Sequence, residues 1–179
     1  MANDQDKEGL LRATILLTPI DYQAIGVAVT TISRLESLLV HVNTIFEFGV
    51  GAPPNEAKHR PRMQAMMKKS FRKRVDVLVE NVRKKTGSEE STKKVRDFFD
   101  NILKWRDFLC HGTIEKLPDG RLKGQFWDRL SFDEDHGHIE HTFTAHDLYE
   151  LSQGVLEMSA WLYETFGIEQ HITAHKNRK

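Results

Sequence analysis

The segment Val95–Gly112, VRDFFDNILKWRDFLCHG, is the part of this 179-residue chain from which the expected fold follows most directly. Its apolar residues recur at intervals of three and four, which is the period of an amphipathic α-helix. They are Val95, Phe98, Phe99, Ile102, Leu103, Leu109 and Cys110. Gly112 follows them and suits the position beyond a helix C-cap. We therefore expect a helix that begins near Ser88 and ends at Gly112.

The same periodicity predicts three further helices on either side of this segment. They cover about Asp21–Phe48, Arg62–Lys85 and, after a Thr144 cap, the residues up to Phe166. The segment Gly49–Pro61 is rich in glycine and proline and indicates a linker between the first two.

Short strands are predicted between the third and fourth helices, where the period changes. They are Thr113–Lys116, Leu122–Trp127 and Ile139–Phe143, with turns at Pro118–Gly120 and Asp133–Gly137. The expected fold class is mainly all-α. It is an antiparallel four-helix bundle with a small β-hairpin or meander insertion at about residues 113–143.

Length and composition favour one cytoplasmic domain. We expect it at residues 20–167, after an N-terminal extension at 1–19 and before a mobile tail at 168–179. The single cysteine, Cys110, excludes an internal disulfide framework. The N-terminal stretch lacks a basic leader, and we identify no continuously apolar segment long enough to span a bilayer, so no membrane partner is expected.

Positive charge is concentrated in one part of the chain, although the formal net charge is zero. Residues 58–85 contain eleven lysines and arginines against two acidic residues, Asp76 and Glu80. Such asymmetry indicates an electropositive face able to meet a polyanion. A solvated helix face beside acidic neighbours would give the same pattern.

Arg106 is a charged residue in the middle of the apolar arc of the third helix, at about 100° per residue. A guanidinium stays charged, so when buried it needs a carboxylate, carbonyl groups or an incoming anion. Glu36 occupies the matching place on the apolar stripe of the first helix. One explanation is therefore a buried Glu36–Arg106 ion pair. The other is functional, because buried ion pairs are poor stabilisers compared with apolar replacements.

His111 follows Arg106 by five residues, immediately before Gly112. On a continuing helix the two side chains would diverge by about 140°. Because the helix is expected to end there and arginine is long, they can converge within one chain. They can also converge across a twofold axis, if the helix packs against its copy.

At these residues the sequence resembles a known family. The stretch Trp105–Gly112, WRDFLCHG, is similar to the Arg-x4–6-His signature of HEPN domains, in which a polar residue often follows the arginine. The architecture is similar over about Ile20–Phe166: a helical bundle, the motif at the end of helix three, and a final helix after a variable insertion. Asp107 stands where asparagine is more frequent in that family.

The resemblance implies a homodimer whose two motifs face each other, and a metal-independent endoribonuclease without a cofactor. Such proteins include toxins of toxin–antitoxin pairs and defence factors, so RNA and an antitoxin protein are the expected partners. Arg106 and His111 would be catalytic, with Asp107 in support and Glu36 as an Arg106 partner. A histidine can move protons near neutral pH, and an arginine can hold the phosphate. The RNA backbone would lie on the basic second helix, at Lys68, Lys69, Arg72 and Lys73.

Two other functions remain open. The first is a non-catalytic helical scaffold for RNA or protein, in which Arg106 and His111 are structural. The second is a metal-binding regulator that uses the insertion histidines His136, His138, His141 and His146. Opposite orientations of His138 and His141 on a strand argue against it, so no metal site is predicted. His171 and His175 have helical metal-ligand spacing but lack the glutamate of a zincin motif. Cys110 is interpreted as a small core residue.

Overall fold

The computed structural model describes residues 16–48, 56–127 and 138–168. The predicted N-terminal extension up to residue 15, the turn Asp133–Gly137 and the tail from residue 169 lie outside these ranges. The described residues form α1 (Pro19–Phe48), α2 (Glu56–Met67), α3 (Phe71–Thr86), α4 (Glu89–His111), β1 (Thr113–Lys116), β2 (Leu122–Trp127), β3 (His138–Phe143) and α5 (Ala145–Phe166). The mainly helical class and the small sheet are confirmed. The described part of the chain contains five helices, and a four-helix bundle is not confirmed.

The predicted helix Arg62–Lys85 is in fact two helices, α2 and α3, separated by a short turn. Ser70 has an extended backbone, and its hydroxyl accepts a hydrogen bond from the Lys73 N–H at 3.4 Å, which starts α3. Arg74 holds the turn by donating to the carbonyl oxygens of Met67 and Lys69, at 2.9 Å each. The prediction of a linker as far as Pro61 is also wrong, because α2 begins at Glu56 and contains Pro61.

The starts of α1, α4 and α5 are fixed by polar caps. Thr144 and Asp147 form a reciprocal capping box, in which the Thr144 N–H lies 2.6 Å from the Asp147 carboxylate. Hydrogen bonds from the Thr144 backbone and hydroxyl lower the pKa of Asp147. Ser88 accepts from the Ser91 N–H at 3.1 Å, as expected for the start of α4. Thr18 caps α1 in the same way as Thr144 caps α5.

The carboxylate of Asp21 joins the start of α1 to β1. Lys116 Nζ lies 2.6 Å from Asp21 Oδ2, and the two side chains are 14% and 6% exposed. Burial tends to raise the pKa of Asp21, but hydrogen bonds from Lys116 and Thr18 outweigh it, so the pKa lies below its ordinary value. This pair therefore ties together residues that are 95 positions apart.

The chain divides into two compact units. The first contains residues up to Val29 and Arg106–Glu150, and with them the antiparallel sheet in the order β1-β2-β3. Gly124 is paired with Ile114 on one side and His141 on the other. Its buried core includes Ala24, Ala28, Phe108, Leu122, Phe143 and Leu148. The single domain expected at residues 20–167 remains a prediction.

The second unit contains Thr30–Trp105 and the residues from Leu151 onward. Its core is mainly apolar and includes a buried amide pair. Asn43 Nδ2 donates to the Arg74 carbonyl at 3.0 Å, and Asn81 Nδ2 donates to Asn43 Oδ1 at 2.9 Å. Around it lie buried residues that include Ile32, Leu35, Leu39, Val75, Leu78, Phe99, Ile102, Val155, Leu162 and Phe166.

Over Pro19–Glu47, α1 is long and apolar enough by length and composition to cross a membrane. Core helices of soluble proteins have the same properties, and α1 buries Ala24, Ala28, Ile32, Leu35 and Leu39. The cytoplasmic location and the absence of a membrane partner remain predictions.

Candidate functional site

The motif residues lie at the end of α4, which is anchored to the sheet by Phe108. The Phe108 ring meets the ring of Phe126 edge-on at 6.5 Å and that of His141 at 6.0 Å. Gly124 makes room for it, because a Cβ atom there would lie 3.1 Å from the rings of Phe108 and Phe143. The sheet thus fixes the last turn of the helix that carries the motif.

The buried face of α4 changes near Arg106. Upstream, Val95, Phe99 and Ile102 are buried on the predicted apolar arc, but near the end of the helix Phe108 is buried instead. Phe108 lies about 140° away from Val95 around the helix. Arg106 lies on the same helix face as Val95, Phe99 and Ile102, but beyond the point where that face is buried, so it is only half-buried. For the same reason Cys110 is exposed, and its assignment to the core is wrong.

Gly112 ends α4 as predicted, for a different physical reason. The glycines with positive φ in the described residues are Gly87, Gly120 and Gly167, so Gly112 is not a left-handed cap. A Cβ atom on Gly112 would lie 2.6 Å from the carbonyl oxygens of both Gln125 and Phe108. Glycine is required because the helix end and β2 approach so closely.

Arg106, Asp107 and His111 come together within one chain. Arg106 Nη1 lies 3.5 Å from His111 Nε2 and 3.4 Å from Asp107 Oδ1. The Arg106 side chain is 28% exposed and that of Asp107 is 34% exposed, while His111 is exposed. The geometry therefore places a guanidinium and an imidazole where one external group can reach both.

The contact between Arg106 and His111 has a definite polarity. Arginine only donates, so a neutral His111 accepts through Nε2 and carries its proton on Nδ1. Asp107 Oδ1 contacts the same guanidinium nitrogen, Nη1. A ligand oxygen that approaches Arg106 would thus meet a cation already oriented by two neighbours.

Glu36 lies in the second unit, next to Arg74. Its carboxylate is 3.8 Å from Arg74 Nη1, and the two side chains are 23% and 16% exposed. Sequence reasoning missed Arg74, which falls at the edge of the apolar arc of α3, about 40° from Leu78, and so gave a weaker signal than Arg106. The proposed Glu36–Arg106 pair remains a prediction.

The four predicted RNA-binding residues cluster around the start of α3. Lys68 and Lys69 lie in the turn before it, and Arg72 and Lys73 lie in its first turn. Among the described residues, none of these four side chains forms a salt bridge with a carboxylate. Other basic residues nearby are paired: Arg62 with Glu47, and Arg83 and Lys84 with Glu80. The first turn of α3 has no acidic residue, so the helix dipole adds to the positive charge.

The insertion histidines do not assemble into a metal site in the described ranges. His141 stacks on Phe143 at 6.1 Å, and His146 lies 3.3 Å from the Glu150 carboxylate. His138 begins β3, while His136, His171 and His175 lie outside the described residues. Within those residues no group of three or more histidine, cysteine or acidic side chains is placed to hold a metal ion.

Comparison with known proteins adds no relative: no family model, no curated protein and no solved structure matches this chain. The resemblance to HEPN domains therefore depends on the motif and its place in the fold.

Proposed function

We propose that this chain is a HEPN-like, metal-independent endoribonuclease that acts as a homodimer. The observation that supports this most is the 3.5 Å approach of Arg106 Nη1 to His111 Nε2 at the exposed end of α4. RNA cleavage without a metal needs a proton carrier and a cation at one phosphate. The motif offers both side by side.

In the proposed reaction, Arg106 moves from His111 to the phosphate, and the Nε2 atom that it leaves accepts the proton of a ribose 2′-hydroxyl. The 2′-oxygen attacks the adjacent phosphorus, and the bond from phosphorus to the 5′-oxygen breaks. A protonated His111 of the second copy donates the proton that the leaving 5′-oxygen takes up. The products are a 2′,3′-cyclic phosphate and a free 5′-hydroxyl. Arg106 stabilises the negative charge on the phosphate oxygens, and Asp107 orients Arg106.

The RNA backbone lies on the cationic cluster at the start of α3 in this proposal. Each phosphate contact made by Lys68, Lys69, Arg72 or Lys73 releases counterions, with a salt slope of about −0.7 per contact for a single strand. Four contacts predict a slope of roughly −3 in a plot of log affinity against log salt concentration. A toxin with an antitoxin partner, or a defence factor, is the biological role that fits such an activity.

A non-catalytic scaffold for RNA or protein is the alternative. Arg106 already has Asp107 and His111 as neighbours within one chain, so the motif can serve only to close the end of α4. The same cationic cluster would then bind RNA without cleaving it.

Cleavage of single-stranded RNA in EDTA tests the proposal. The parent should yield 2′,3′-cyclic phosphate ends, and a 2′-deoxy nucleotide at the scissile position should stop the reaction. Arg106→Ala and His111→Ala should each abolish cleavage. Their thermal stability should change little, because the partly exposed Arg106–Asp107 pair contributes about 1 kcal/mol or less.

Arg121→Ala and His146→Ala are matched controls in the same unit, since each removes an exposed cation or imidazole that has a carboxylate neighbour. Both should retain full activity. A requirement for Mg²⁺, or cleavage of the deoxy substrate, would contradict the mechanism. An inactive parent whose motif variants lose several degrees of thermal stability would favour the scaffold.

A further inference from the structure

A cavity in the second unit has no role in the proposed cleavage. It has a volume of about 250 Å³ and is lined by Ser37, Val40, His41, Met63, Met67 and Arg74. Val40, Met63 and Met67 make its wall largely apolar, and His41 offers an exposed ring. The volume lies just below the usual range of small-molecule pockets, which suits one ring system rather than a longer ligand.

Arg74 shapes this cavity rather than serving as its anion-binding group. Its Nε and Nη2 donate to the carbonyl oxygens of Lys69 and Met67, and its Nη1 lies 3.8 Å from the Glu36 carboxylate. The guanidinium charge is thus balanced locally. These hydrogen bonds hold the backbone from Met67 to Lys69 in place beside the cavity.

Positive charge lies directly beside the cavity. Lys68 and Lys69 follow Met67, a residue that lines the cavity and is 58% exposed. In the part of the chain that the structure describes, neither lysine forms a salt bridge with a carboxylate. A ligand that combines a small ring with an anionic chain would suit both features.

We propose that the cavity binds one base of a single-stranded RNA, while the adjacent phosphates lie on Lys68 and Lys69. Methionine sulfur packs favourably against aromatic rings, and histidine stacks on unpaired bases. A double helix does not offer a splayed base, so this site selects single strands. This proposal rests on the proposed function, in which RNA is the substrate, and adds how the RNA is bound.

Binding of 2′-O-methyl oligonucleotides, followed by fluorescence anisotropy, tests this proposal. Such probes cannot be cleaved through a 2′-oxygen, so the measurement does not depend on catalysis. The parent should bind a base-bearing probe at least about fivefold more tightly than the same backbone with abasic sites. Ser37→Leu, which fills the cavity, should remove that difference without weakening the abasic probe. Ser37→Ala leaves the cavity open and should retain it.

The lysines are tested separately from the cavity. The double variant Lys68→Gln/Lys69→Gln should weaken both probes alike and reduce the magnitude of the salt slope by about 1.4. Lys93→Gln/Lys104→Gln removes two exposed lysines of α4 and should change neither quantity. Circular dichroism of each variant confirms that it is folded.

Equal binding of the two probes by the parent would overturn the proposal, and so would a folded Ser37→Leu variant that still distinguishes them. Failure of the nuclease proposal is a separate result. If the protein prefers the base-bearing probe but cleaves no RNA, the base-binding role of the cavity stands and the cleavage mechanism is refuted.

Discussion

Replacing Gly112 with alanine adds one methyl group where α4 meets β2. The new Cβ atom would lie 2.6 Å from the carbonyl oxygens of Gln125 and Phe108. Even close carbon–oxygen contacts in proteins lie at about 3.3 Å, so the backbone must move by roughly 0.7 Å. Both oxygens belong to the backbone, which means that no side-chain rotation can relieve the clash.

We expect the substitution to lower the free energy of unfolding by about 1–3 kcal/mol, the usual effect of overpacking. In a chain of this size each kcal/mol lowers the melting temperature by about 2–4 °C. Gly26→Ala is the matched control, because Gly26 is exposed within α1 and a Cβ atom there meets nothing within 4 Å. Alanine is favoured inside a helix by about 0.5–1 kcal/mol, so that variant should be more stable than the parent.

Urea unfolding followed by circular dichroism at 222 nm measures both changes. The two variants should shift the midpoint in opposite directions with similar m-values. In the cleavage assay, Gly112→Ala should also lower the rate by about tenfold to a hundredfold, because His111 is displaced with the helix end. A Gly112→Ala protein that unfolds at the parent's urea concentration or above would refute the close approach of α4 to β2.

Three further predictions concern the first unit and the assembly. Lys116→Met should lower the free energy of unfolding in urea by about 2–3 kcal/mol, because it removes a charged donor from the buried Asp21 carboxylate. Lys123→Met, at a more exposed pair, should lower it by about 1 kcal/mol or less. Equal losses would contradict the difference in burial. The pKa values of Asp21 and Asp147 are lowered by hydrogen bonds, so their stabilisation is present above about pH 4 and is lost as the pH falls through the folded-state values. The urea midpoint should therefore fall between pH 5 and pH 2.5, and less steeply in Asp147→Asn; parallel curves would count against the capping box. Sedimentation velocity at micromolar concentration should report a dimer, and a monomer that still cleaves RNA would exclude the composite site.

Most helices and strands could be predicted because their apolar periods and caps are local properties of the sequence. The break between α2 and α3 could not be found from periodicity. Met67, Phe71 and Val75 are spaced by four residues, so the helical phase continues across the turn. The cap at Ser70 was the remaining signal, and serine alone is too common to indicate a helix start.

The site could be predicted only as a set of candidate residues. The charge of Arg106 on an apolar face was visible in the sequence, but its 3.5 Å approach to His111 depends on where α4 ends. The exposure of Cys110 depends on the sheet covering Phe108, which is a tertiary effect. Likewise, Arg74 beside Glu36 requires the turn at Lys68–Ser70, which the apolar period concealed.

The long span between Asp21 and Lys116 has a consequence for the nascent chain. The two residues are 95 positions apart, so at about 5–20 residues per second the ribosome adds Lys116 roughly 5–20 s after Asp21. A helix forms within microseconds, so this end of α1 can form early and must then wait for its partner strand. During that interval Ala24 and Ala28 lack the remainder of the first unit, Arg106–Glu150. A chain stalled before Lys116 would therefore present an apolar helix end to chaperones and proteases.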